Sequence, residues 1–108
     1  MAKSSKAVHV SAVIRQADLL SFLMVAMHHS MSDSVDGLTR LTACHQIQRY
    51  WYHLNQEQRD LLLDELADYK MDAGEKWEDP SSKYRIWSKL YDWMGAQPTD
   101  EELKEMRV

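Results

Sequence analysis

The sequence predicts an all-α protein, a compact single-domain bundle of about four main helices plus a short C-terminal helix. Apolar residues recur at steps of three and four along most of the chain, which is the period of a helix face and not of a strand. Only 3 glycines and 2 prolines occur in 108 residues, too few for a β protein built on tight turns. Capping residues stand at the head of the later apolar runs, and Gly74 and Gly95 stand at the ends of two of them. A chain of this length buries one core and rarely splits. Its hydrophobic fraction of 44%, with 4 Trp, 5 Tyr and 7 Met, supplies the large apolar groups that a disordered chain lacks.

Residues 1 to about 8 are small and polar and are expected to be mobile. The first helix is expected from about Ser11 to Met31. Val13, Ala17, Leu20, Met24, Met27 and Met31 alternate steps of four and three, and Phe22, Leu23 and Ala26 widen the apolar side beyond that stripe. A helix with two apolar sides is either central or shares one side with a second chain. A homodimer through residues 11–31 is therefore a candidate assembly, burying Phe22, Val25 or His29. The apolar run LLSFLMVAM, residues 19–27, is far shorter than the roughly 20 residues of a membrane span. It also lacks the cleavage pattern of a signal peptide, so no membrane association is expected.

The loop SDSVDG, residues 32–37, offers Asp36 or Ser34 as the N-cap of a second helix running to about Leu54. Ala43, Cys44, Ile47, Tyr50, Trp51 and Leu54 share its apolar side. Asn55 and Gln58 have the spacing of a reciprocal capping box and open a third helix. Leu62, Leu66, Tyr69 and Ala73 form its buried face, and Gly74 is its natural stop. After the connection GEKWEDPSS, residues 74–82, a fourth helix is expected to start with Asp79 as cap and Pro80 at its first position, or one turn later with Ser81 or Ser82. Tyr84, Trp87, Tyr91 and Met94 make its aromatic stripe, and Gly95 closes it. Pro98, Thr99 and Glu102 spell a second capping box for a short helix through Met106.

The net charge of −4 argues against a protein whose main task is to neutralise phosphates, though a local basic patch is compatible with it. Cys44 is the only cysteine, and a thiol that cannot form an internal disulfide fits a reducing compartment, the cytoplasm.

The most unusual feature is the polar side of the third helix, where Glu57, Asp60, Asp64, Asp68 and Asp72 project together, with Glu65 at the edge. Successive i,i+4 like charges cost roughly 0.2–0.5 kcal/mol each, so the row works against its own helix by about 1 kcal/mol. Such a ridge is either a solvated face or the contact surface for a cationic partner. Trp77, in a charged loop, is either an anchor tucked against the core or an aromatic of the same contact surface. The best reading is a non-enzymatic regulator, adaptor or inhibitor that binds a protein with a basic surface through these residues, a class common among phages and mobile elements. Lys83, Arg85 and Lys89 give the runner-up, a nucleic-acid-binding regulator using the basic side of the fourth helix.

Metal and cofactor chemistry finds little footing. Carboxylates strung along a straight helix diverge, whereas calcium needs them gathered on a turn. His28 and His29 are adjacent and point apart on a regular helix, although Asp33 in the following loop could fold back toward them, the basis of a third reading as a metal-dependent hydrolase. There is no H-E-x-x-H and no cysteine pair. The isolated glycines make no phosphate loop, and Cys44 lies on an apolar side where a thiol usually packs. Neither a cofactor nor a catalytic residue is expected.

Overall fold

The computed structural model describes residues 18–106. The segment 1–8, and the early part of the first helix with Val13 and Ala17, lie outside the described residues. Among these there are five α-helices and no strand: α1 (residues 18–30), α2 (Gly37–Tyr50), α3 (Gln56–Ala73), α4 (Arg85–Ala96) and α5 (Asp100–Met106). Short 3-10 turns lie at Trp51–His53 and Gly74–Trp77. The all-α bundle expected from periodicity is the fold observed.

The α4 helix sits at the centre and packs against both α2 and α3. Its Trp87, Leu90 and Met94 are buried together with Leu23 and Met27 of α1, Ile47 of α2, and Leu62 and Leu66 of α3. Burying Leu- or Phe-sized side chains contributes about 1.5–3 kcal/mol each, which is what holds short helices that would be marginal alone. Trp51 and Trp93 meet edge to face at 5.9 Å, joining the end of α2 to α4.

Local chemistry accounts for most helix ends. The Asp36 carboxylate accepts from the Thr39 N–H at 2.7 Å. The side-chain and backbone hydrogen bonds of Thr39 hold its carboxyl below the usual range. Asn55 and Gln58 make the reciprocal box that opens α3, and Thr99 and Glu102 make the one that opens α5. Gly74 ends α3 with φ of +56°, where a Cβ would be strained. The carbonyls left open at the end of α1 are met from a distance in sequence. Arg40 donates through Nε to the Ser30 carbonyl at 3.1 Å and through a terminal nitrogen to the Ser32 carbonyl at 3.0 Å.

Three boundaries differ from expectation. The second α-helix stops at Tyr50, not Leu54, and the chain tightens into a 3-10 turn because Leu54 must be extended to deliver Asn55 as the next cap. The fourth helix starts at Arg85, later than either expected start, at Asp79 or at Ser81 and Ser82. The Asp79 carboxylate instead accepts from the backbone and hydroxyl of Ser81, an Asx turn that competes with helix initiation. It then runs through Gly95 to Ala96, with extended Gln97 ending it. Tyr69 is only partly buried, for a reason given below.

Candidate functional site

The outer face of α3 carries the acidic ridge. Glu57, Asp60, Asp64, Asp68 and Asp72 are all exposed, and no other helix covers them. Among the described residues no cation of the chain pairs with any of the five, because the ion pairs are His28–Glu65, Arg59–Asp100 and Lys83–Asp33. Gln56 donates to Asp60 at 2.9 Å, a local contact that leaves the charge in place. Among the described residues no cation relieves the mutual repulsion of the row, which is left to solvent and the Gln56 contact.

Two apolar side chains stand within the ridge, and the sequence reading passed over them. Leu61 is about half exposed and Met71 is 80% exposed. Leu61, Asp64, Asp68 and Met71 are spaced three, four and three apart and so share one face of α3. The same periodicity that exposed the ridge contained this signal. Trp77, in contrast, is not part of an exposed patch. It is 4% exposed and lies edge to face on Tyr91 at 6.0 Å, with Tyr84 beside it at 6.4 Å. The 3-10 turn after Gly74 folds it inward as a core anchor.

At the shoulder of the ridge, Glu65 and Tyr69 reach across to α1. His28 Nε2 lies 3.2 Å from the Glu65 carboxylate, and Nδ1 hydrogen-bonds the Tyr69 hydroxyl. In the neutral imidazole, Nε2–H donates to Glu65 and Nδ1 accepts from Tyr69. Burial first, and then the Glu65 charge, push the Tyr69 phenol upward. That works against a phenolate nucleophile, so this chain of groups ties α1 to α3. It also keeps the hydroxyl end of Tyr69 near the surface, which explains its partial exposure.

His29 points away from His28, to the exposed side of α1, and Asp33 is held by Lys83 at 2.7 Å. Lys83 first, through a hydrogen bond and its charge, keeps the Asp33 carboxyl low. Among the described residues no group of three or more His, Cys, Asp and Glu side chains is gathered around a common point. Cys44 is buried, and desolvation pushes its thiol up to about 12. Its thiolate population at neutral pH is therefore about a thousandfold below that of an exposed cysteine.

The cations of the fourth-helix region do converge. Lys83, Arg85 and Lys89 line one cleft of about 340 Å³ with Arg40, Pro80 and Gly37, at the N-terminal end of α2. Arg40 joins them from α2, which no sequence pattern links to this group. Two of the four are already engaged, Arg40 with the carbonyls of Ser30 and Ser32 and Lys83 with Asp33. Arg85 touches Ser88 at 3.2 Å, and Lys89 is exposed.

No described helix is long and apolar enough to cross a membrane. Compared with protein-family models, with curated proteins and with solved structures, the chain matches none of them.

Proposed function

We propose that the protein is a non-enzymatic regulator, adaptor or inhibitor that binds another protein of basic surface through the outer face of α3. The observation that carries this reading is the combination of five exposed carboxylates, none ion-paired among the described residues, with Leu61 and Met71 in their midst. Charges alone would suit a solvated face, and exposed apolar groups alone would be ordinary surface. Together they match a partner segment whose Lys or Arg residues flank apolar ones. The charges set approach and register, and the adaptable Met71 contributes contact area.

The test is affinity capture from lysate of the source cells, wild type beside an Asp60→Lys, Asp64→Lys, Asp68→Lys variant and a Leu61→Ser, Met71→Ser variant. All three must first show equal helicity and stability. A partner retained by the wild type should weaken at least about a hundredfold in the charge variant, since juxtaposed like charges cost several kcal/mol. Its binding should also weaken with added salt. Equal recovery by all three proteins would make the ridge a solvated face.

A second reading rests on the basic cleft. Its cations suit a phosphate-bearing ligand, a nucleic acid backbone above all, but with Arg40 and Lys83 already engaged it offers few free charges, which is why it ranks below the first. Retention on DNA or RNA should fall steeply with ionic strength and vanish in a Lys83→Gln, Arg85→Gln, Lys89→Gln variant. Retention unchanged by that variant would remove the cleft from consideration.

A further inference from the structure

The exposed side of α1 reads as a self-complementary sequence. Asp18, Phe22, Val25 and His29 are spaced four, three and four apart, so they form one stripe along the helix. All four face outward, Phe22 at 50% exposure and Val25 at 67%. Nothing else among the described residues covers them. The core stripe of Leu23, Met27 and Met31 lies on the other side.

The order of these residues is what selects the occupant. If a second α1 is laid antiparallel on the first, with the two-fold axis midway between positions 23 and 24, Phe22 falls opposite Val25 of the second copy. Asp18 then falls opposite its His29. The Phe22–Val25 pair sits at the centre and the carboxylate–imidazole pair at the end, each of the two formed twice by symmetry, as an isologous interface requires. A parallel pairing would set Asp18 against Asp18, which like charges disfavour, and would leave His29 without a carboxylate opposite it. On the α2 side the stripe continues into a groove of about 300 Å³ lined by Ala26, Leu38, Thr42 and Gln46, with Leu38 exposed at its edge. This extends the apolar area beyond one helix.

We propose that the chain forms a two-fold homodimer through an antiparallel α1–α1 contact, with Phe22 against Val25 and Asp18 against His29 of the second copy. This surface is separate from the outer face of α3, so the dimer would present two acidic faces and stands or falls independently of the reading above. One helix pair with a flanking groove lies at the small end of interface sizes, so association is expected to be reversible and concentration-dependent.

Sedimentation equilibrium of the full chain from about 1 µM to about 1 mM spans the affinities expected of such an interface. Val25→Glu, at a position too exposed to disturb folding, should raise Kd more than about tenfold by burying an unpaired charge. Asp18→Lys should raise it by about threefold to tenfold, and adding His29→Glu should restore it by setting a carboxylate opposite the new ammonium. Register is read by cross-linking, for which the buried Cys44 gives little background. Phe22→Cys and Val25→Cys proteins, when mixed, should form the mixed disulfide in preference to either symmetric one. A monomer at every concentration would overturn self-association altogether. A dimer indifferent to Val25→Glu, or cross-linked mainly through like positions, would overturn this interface and place the contact elsewhere.

Discussion

Trp87→Ala is expected to cost about 4 kcal/mol, within the roughly 3–5 kcal/mol of a fully buried aromatic lost to alanine. A domain of this size has on the order of 5–15 kcal/mol in hand, so the variant should lose a large part of its stability and unfold at a markedly lower urea concentration. Trp87 has no exposed surface and lies on the central helix that both α2 and α3 pack against. Its removal therefore opens a cavity that no single neighbour collapses to fill. Trp87→Phe should behave differently. The indole Nε1 is buried and, among the described residues, has no hydrogen-bond partner, and an unsatisfied buried donor costs about 1–3 kcal/mol. Phenylalanine keeps a six-membered ring in place and removes that donor, so the net cost should be below about 2 kcal/mol. Urea denaturation followed by circular dichroism separates the two variants. A phenylalanine variant as unstable as the alanine one would mean that the indole N–H contributes a favourable contact.

Arg59→Ala is the second large effect, expected at about 3 kcal/mol from lost packing of the stem and lost hydrogen bonds. The Arg59 side chain is 4% exposed. It donates through Nε to the Leu54 carbonyl at 3.2 Å, through one terminal nitrogen to Gln56 Oε1 at 3.2 Å, and through the other to Asp100 at 2.6 Å. Its guanidinium also lies 5.0 Å from the centre of the Tyr52 ring. Gln56 Oε1 accepts in addition from the Asp100 backbone N–H, and the Tyr52 hydroxyl donates to the Pro98 carbonyl. No residue of α5 is fully buried, so this polar cluster, with partly buried Leu103, is what docks the helix. Loss of Arg59 should therefore free residues 100–106 to exchange their amide hydrogens faster than the rest of the fold. Asp100→Ala should cost less, about 1 kcal/mol, because Asp100 is half exposed and water replaces its carboxylate. Arg59→Met, which keeps the stem and removes the buried charge, should fall between them. Unchanged exchange across residues 100–106 in Arg59→Ala would show that Leu103 and the backbone hold α5 without the cluster.

The candidate surfaces were legible in unequal measure. The acidic ridge is a property of one helix, so spacing alone placed its five carboxylates together. Leu61 and Met71 obey the same spacing, but single apolar residues on a charged face are ordinary surface and carry no signal until their exposure is known. Trp77 was ambiguous because a loop aromatic has no periodicity to assign it to a side. No spacing rule singles out Arg59 or Arg40, since the carbonyls and the carboxylate they serve belong to other elements.

The all-α class, the capping boxes at Asn55–Gln58 and Thr99–Glu102, the stop at Gly74 and most of the core were all legible from residue type and spacing. Each of these follows from contacts within a few residues, whose geometry the helix repeat dictates. Tertiary structure alone decided that the α3 ridge stays uncovered, that Trp77 turns inward and that a buried arginine docks α5. It also decided that Lys83, Arg85 and Lys89 meet Arg40 around one cleft. These are long-range juxtapositions, set by which helix faces bury the most apolar area together, and that choice is made by the whole core at once.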